Sequence, residues 1–280
     1  MTKPYDLLYI YYIEGKLDYK DELTLGSSFI GNWEDGGFSF LFFQIKSDEI
    51  VEGFLNEHSD LTLVDKYEMS YSDWLGDIPV PFSVGNYFVS APFHDLKNKI
   101  DTNKNEIRVQ LDPGVVFGTG RHPTTYNCLE LLEDALTNKK IDSMLDIGTG
   151  TGLLAVCGAL SGCKRVIAMD FNFLATKTTL KNTKLNNLDN VLVTRGCGIN
   201  FMEYEADLLV ANIHYDIMKK LVITEGFTQK RYFILSGIFK SQADKIMNII
   251  QSKDVNIIDH RIDNEWHTIY GENIKGTSKD

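Results

Sequence analysis

Asp146-Ile147-Gly148-Thr149-Gly150-Thr151-Gly152 follows the apolar pair Met144-Leu145 and runs straight into Leu153–Leu160, an apolar stretch of helical length. An acid closing a strand, glycines at alternate positions and a helix opening at once describe a ligand-binding turn between strand and helix. Glycine lets such a turn bend sharply and approach a ligand with no Cβ in the way. A dinucleotide fingerprint requires GxGxxG. Here the third glycine arrives one residue early, and Leu153 stands where the fingerprint places glycine. The spacing therefore argues against a nicotinamide-dependent oxidoreductase. A second acid, Asp170, closes the next apolar run, Val166–Met169, 24 residues after Asp146. That is one βαβ unit on, where a carboxylate accepts hydrogen bonds from a ribose diol.

Outward from this turn, Met144–Ile147, Arg165–Met169, Val191–Thr194, Leu208–Ala211 and Tyr232–Leu235 read as strands. Helical patterns occupy Leu153–Leu160, Leu174–Asn186, Ile217–Val222 and Gln242–Gln251. Short apolar strands separated by helices predict a parallel sheet covered on both faces. Val255–Arg261 and Glu265–Tyr270 flank Asp263-Asn264, a tight reversal that predicts an antiparallel edge and brings the strand count to seven. The polar Gly271–Asp280 predicts a frayed tail. Upstream, the Gly-rich loop Asp112–Thr125 opens a helix over Tyr126–Leu136, with Thr124 or Thr125 as cap.

Residues 1–70 are different. Strand-like runs at Tyr5–Ile13, Phe38–Ile45 and Leu61–Met69 surround one helix, Asp48–His58, and Gly26–Gly37 reads as a loop. This predicts a small α+β domain. Residues 71–110, with Pro79, Pro81, Gly85, Pro92 and the polar stretch Lys97–Asn105, read as a connector, and 111–280 as the catalytic domain. A chain of 280 residues, 43% hydrophobic, suits two domains. No apolar run approaches the roughly 20 residues of a bilayer span. No cleavage pattern follows the first residues, and Cys128, Cys157, Cys163 and Cys197 form no CxxC pair. These features predict a cytoplasmic protein with reduced thiols, no metal site and no membrane contact. The net charge of −11 is uneven: residues 1–110 hold 19 acidic against 9 basic residues, the remainder 20 against 19. An acidic N-terminal part repels phosphate backbones and attracts basic partners, although acidity also serves solubility alone. Direct nucleic-acid binding is not expected.

The stretch Leu111-Asp-Pro-Gly-Val-Val-Phe-Gly-Thr-Gly-Arg-His-Pro-Thr-Thr125 resembles the signature LDPGxAFGTGxHPTT of the ribosomal protein L11 methyltransferases, the PrmA family. Further resemblances follow in order: Leu145–Ala155, Val210-Ala-Asn-Ile213, Leu235-Ser-Gly-Ile238 and Glu265-Trp266. Tyr71–Tyr87 is similar to the family's linker, with Phe93 where a Trp usually follows and Arg121 before His122. The resemblance implies a Rossmann-like seven-stranded methyltransferase domain behind a small N-terminal α+β domain that captures the substrate. It implies S-adenosyl-L-methionine as cofactor, held by Thr125, Gly148, Asp170 and Asn212. Gly120 and His122 would help close the loop, and Asp146 and Gly150 would border the methionine moiety, Asp146 facing its ammonium group or the loop itself. The family's usual first helix is not evident between Tyr5–Ile13 and Phe38–Ile45.

The implied chemistry is methyl transfer to an amine of a basic protein, a ribosomal protein above all. Asn212 and His122 are the catalytic candidates: Asn212 can accept an N–H bond and aim the amine, or only contact the cofactor. His122 can touch substrate or simply cap the following helix. Asp112 and His122 are weak candidates for a base. A different protein lysine or a small amine keeps the same chemistry with another target, and a non-catalytic cofactor-binding role stands as a further alternative. Nothing in the sequence sets an oligomeric state.

Overall fold

Val and Ile-rich strands that are apolar on both sides must be covered on both sides. The computed structural model, which describes residues 6–75, 81–92 and 106–274, shows how. The chain separates into two compact units, residues 1–80 with 172–174, and residues 81–171 with 175–280.

In the first unit the elements run β1 (Leu7–Glu14), α1 (Tyr19–Glu22), β2 (Phe29–Asp35), β3 (Phe38–Phe43), α2 (Asp48–Glu57), β4 (Thr62–Ser70) and α3 (Tyr71–Leu75). The sheet has the order β2-β3-β1-β4, with antiparallel pairing throughout. Val51 and Phe54 of α2 bury against Tyr11, Ile13, Leu41 and Phe43. The expected loop over Gly26–Gly37 is instead mostly strand β2, paired with β3. Gly36 and Gly37, with φ of +58° and +96°, make a two-residue hairpin turn, and such a turn fixes the register of both strands. Composition alone hid this, because the Gly and Asn residues that suggested a loop sit in an edge strand. α1 is a single turn in the place where no helix was evident.

The second unit opens with β5 (Phe82–Val84), β6 (Tyr87–Ser90) and β7 (Ile107–Gln110), a three-stranded sheet of that order. Val84, Tyr87, Val89 and Val109 from this stretch, read as connector, enter the main apolar core of the unit. Then come α4 (Pro123–Asn138), β8 (Ser143–Ile147), α5 (Leu153–Leu160), β9 (Arg165–Asp170), α6 (Phe173–Leu185), β10 (Val191–Arg195), a 3₁₀ turn (Gly198–Phe201), β11 (Leu208–Asn212), α7 (Tyr215–Ile223), α8 (Glu225–Thr228), β12 (Tyr232–Phe239), α9 (Lys240–Gln251), β13 (Val255–Asp263) and β14 (Trp266–Asn273). The seven-stranded sheet has the order β10-β9-β8-β11-β12-β14-β13, and only β14 runs against its neighbours. This is the Rossmann-like α/β architecture expected. Alternate residues of each strand serve opposite faces. Met144, Val166, Val210 and Ile234 pack with α4 and α5, whereas Leu145, Met169, Leu209 and Phe233 pack with α7 and α9.

Two local expectations are corrected. α4 starts at Pro123 with His122 as N-cap, not at Tyr126 with a threonine cap; proline is preorganised for the first helical position and has no N–H to lose there. The first residues of the expected frayed tail are strand instead, because β14 carries Gly271–Asn273 in register with β12 and β13. The buried Asn273 side chain donates to Phe227 O and Lys230 O, which holds this polar end in place. Lys97–Asn105, Phe93, part of the linker and the last residues of the tail lie outside the described residues. Among the described residues no helix is long and apolar enough to cross a membrane.

Candidate active site

The site lies beyond the C-terminal ends of β8, β9 and β11, where an open α/β sheet reverses strand order. Gly148, Gly150 and Gly152 take φ of +76°, +57° and +83°. A Cβ at Gly148 would stand 2.2 Å from Ile213 Cγ2, one at Gly150 2.7 Å from Phe117 O, and one at Gly152 2.7 Å from Thr179 Cγ2. Both the backbone conformation and the close approach therefore require glycine. The turn is anchored by Gly148 N and Thr149 N, which donate to Met169 O at 2.9 and 3.0 Å.

Asp146 turns inward. It is 1% exposed and accepts from Thr149 Oγ1 at 2.6 Å. Burial pushes its carboxyl pKa up to about 7; the Asp170 charge adds to the rise and the Thr149 hydroxyl opposes it. Of the two roles expected, this contact is the one made with the loop itself. Asp170 Oδ2 accepts from Gly150 N at 3.1 Å, so the second acid is tied to the turn of the first.

Across the turn, Asn212 ends β11 and donates through Nδ2 to Thr125 Oγ1 at 3.2 Å. Gly237, at φ +87°, interrupts β12 beside it. A Cβ there would lie 3.0 Å from Asn212 Oδ1 and 2.8 Å from Ile213 O. Gly237 sits in the Leu235–Ile238 motif, but only the fold reveals that it makes room for that amide oxygen. Gly120, at φ +95°, is pressed by Phe82 and Leu153 in the same way, at 2.4 and 2.9 Å from a notional Cβ. His122 Nδ1 lies 2.8 Å from Thr124 Oγ1 and accepts from Thr124 N at 3.4 Å. Burial lowers its pKa, with Asp263 opposing. A neutral ring accepting at Nδ1 carries its proton on Nε2, so the geometry gives His122 the capping role. Asp112 is likewise engaged, by Lys181 Nζ at 2.5 Å and Gly114 N at 3.0 Å.

Four rings, His122 among them, form a wall. Phe117 and Trp266 contact His122 edge-on at 5.5 and 4.9 Å between centroids, and Phe239 lies 4.3 Å from Trp266. Phe117 and Phe239 are 55% and 40% exposed. Phe117 and Phe239 went unremarked in the sequence because they come from a loop and a strand end 122 residues apart.

The sequence model of the family described as ribosomal protein L11 methyltransferase (PrmA) matches residues 50–273. The chain belongs to this family. A ribosomal protein L11 methyltransferase of Prochlorococcus marinus is 34% identical over 217 residues, covering 72% of this chain and 69% of its own. One from Staphylococcus carnosus is 30% identical over 241 residues, covering 81% and 76%. The crystal structure of a ribosomal protein L11 methylase from Lactobacillus delbrueckii subsp. bulgaricus shares the fold, with a TM-score of 0.59 at 24% identity over 68% of this chain and 96% of that one. As a PrmA-family member, the chain is an S-adenosylmethionine-dependent protein methyltransferase.

The residues present fit that cofactor. Glycine backbone without side chains lines one wall, a strand-end carboxylate suits a ribose diol, and the Asn212–Thr125 pair supplies polar groups across the turn. When bound, it supplies a methyl group on a sulfonium, an electrophile needing no further activation.

Proposed function

We propose that the chain methylates amino groups, of lysine or of an N-terminus, on a basic ribosomal protein, and that this protein is the L11 named in its relatives. The observation that carries this reading is the Asn212 amide. With Nδ2 committed to Thr125, its Oδ1, in the space left by Gly237, is the atom that can accept an N–H from an incoming amine and aim the lone pair. Displacement at a methyl group is an in-line reaction, so positioning and exclusion of water are the protein's main tasks.

A free lysine has a pKa of about 10.4, and its amine must be neutral to react. The ring wall of Phe117, His122, Trp266 and Phe239 receives an alkylammonium through cation–π attraction and covers its aliphatic stem. Desolvation there lowers the amine's pKa. With His122 Nδ1 and the Asp112 carboxylate both engaged, the proton leaves to solvent. In this reading the acidic N-terminal unit captures the basic protein, and the enzyme acts in the cytoplasm, where ribosomal proteins are made, without direct nucleic-acid contact or a membrane. Thr125, Gly120, Asp146, Gly148, Gly150 and Asp170 form the cofactor side of the site.

Incubation with methyl-labelled S-adenosylmethionine and purified ribosomal proteins should label L11. Label confined to another protein would refute the target, and no label on any of them would refute the ribosomal reading altogether. Asn212→Ala should lower kcat about tenfold or more while changing cofactor affinity less. An unchanged single-turnover rate would remove Asn212 from the chemistry.

A further inference from the structure

Helix α6 carries polar residues where a helix beside a sheet usually presents apolar ones. Thr179, Asn182 and Thr183 are buried, and Asn182 is 0% exposed. Asn182 Oδ1 accepts from Asp112 N at 2.8 Å, and its Nδ2 donates to Asp112 O at 2.9 Å and Thr151 O at 2.8 Å. One turn further on, Asn186 Oδ1 accepts from Gln110 N at 2.9 Å and its Nδ2 donates to Gln110 O at 2.7 Å. Each amide meets an N–H and a carbonyl of the same residue, which fixes which end is oxygen.

The two side chains thus pair with alternate residues of an extended segment, as a neighbouring strand would. The match is geometric. Four residues of helix rise about 6 Å and two of strand about 6.6 Å, close enough for both amides to stay in register.

Asn182 does more than Asn186. Its second N–H reaches Thr151, so one buried amide joins the start of the 112–125 loop to the glycine turn. Thr179 Oγ1 reinforces this by donating to Gly150 O at 3.0 Å, and Thr151 Oγ1 by donating to Gly118 O at 2.6 Å. The two loops so joined carry Gly120 and Thr125 on one side and Gly148 and Gly150 on the other.

We propose that Asn182 is a positioning residue for the cofactor, holding the 112–125 loop in register with the glycine turn. It touches neither cofactor nor acceptor in this role; it acts through Asp112 and Thr151. Losing it leaves two buried carbonyls and one N–H without partners, and both loops drift. The inference rests on the cofactor identity alone and is independent of which protein is methylated.

Binding of S-adenosylhomocysteine, measured by calorimetry beside the melting temperature of each variant, tests it. Asn182→Ala should raise the Kd by about tenfold, whereas kcat at saturating cofactor should fall less than about threefold. Asn182→Ser, whose hydroxyl meets one partner but cannot bridge two, should behave alike and serves if alanine leaves too little folded protein. Asn182→Asp keeps the shape but faces two carbonyls with oxygen, and should be the weakest binder. Asn186→Ala, which frees the Gln110 backbone and drops a bond to Asn182 O but leaves the Asn182 side chain and its partners in place, should lower the melting temperature and leave Kd within about twofold. A Kd for folded Asn182→Ala or Asn182→Ser within threefold of the parent overturns the proposal, as do Kd increases that simply follow the loss of melting temperature in both asparagine variants.

Discussion

Helices α5 and α6 follow successive strands of one sheet and both border the glycine turn, yet they hold it by opposite means. α5, Leu-Leu-Ala-Val-Cys-Gly-Ala-Leu, is buried over its first seven residues and fixes the turn by filling volume. α6 is buried largely through Thr and Asn and fixes it through directed hydrogen bonds. Packing is non-directional and tolerates exchange among apolar residues of similar size. A buried amide tolerates almost nothing, because each unmet partner carries a desolvation cost. The first helix therefore secures stability and the second secures geometry, and substitutions should separate the two.

The largest effect belongs where the helices meet. Gly152→Ala puts a Cβ at positive φ against Thr179, so it should cost about 3 kcal/mol in urea unfolding and abolish cofactor binding. A well-folded variant that binds normally would show that the junction is not tight. Val156→Ala, in the apolar body of α5, should cost about 2 kcal/mol yet leave cofactor Kd within about twofold; a large loss of affinity there would erase the contrast.

Asp146, at the start of the turn, adds a pH dependence. Its folded pKa of about 7 lies above the roughly 3.9 of an unfolded aspartate, so folding takes up a proton between those values. Its contribution to stability is full below pH 4 and is lost as pH rises to 7. Asp146→Asn keeps an acceptor for Thr149 and removes this loss. Its stability relative to the parent should rise by about 2–3 kcal/mol between pH 5 and pH 8, and parallel pH curves for the two proteins would contradict the buried carboxyl.

Thr179→Val is nearly isosteric and removes one hydrogen bond to Gly150 O; we expect about 1 kcal/mol of stability lost and a severalfold weaker cofactor. The smallest effect is Lys181→Met. The Lys181 side chain is 54% exposed, so its pair with Asp112 is screened, and the loss should stay under about 1 kcal/mol and shrink further in high salt.

The same contrast explains what could be read in advance. α5 was legible to the residue, because an unbroken apolar run after a glycine turn has one reading. α6 was legible as a helix, but its polar buried face looks like solvent-facing sequence until Asp112 and Thr151 are seen against it. β2 was missed because its Gly and Asn residues suggest a loop, and only pairing with β3 makes them strand. His122 had two readings, and the fold supplied Thr124 at its Nδ1. Gly237, Phe117 and Phe239 matter through neighbours remote in sequence, so no local pattern marks them.

By itself, the sequence determined the parallel sheet, the glycine turn after Asp146 and the family, because periodicity, glycine spacing and the Leu111–Thr125 signature are local properties of the chain. The tertiary structure alone decided that Asp146 is buried against Thr149, that Asn212 is oriented by Thr125, and that Asn182 ties two loops together. The last two are hydrogen bonds between segments far apart along the chain, whose partners exist only once the core has brought the segments within about 3 Å. Asp146 and Thr149 are neighbours in one turn, and it is the burial of their pair that needs the folded core.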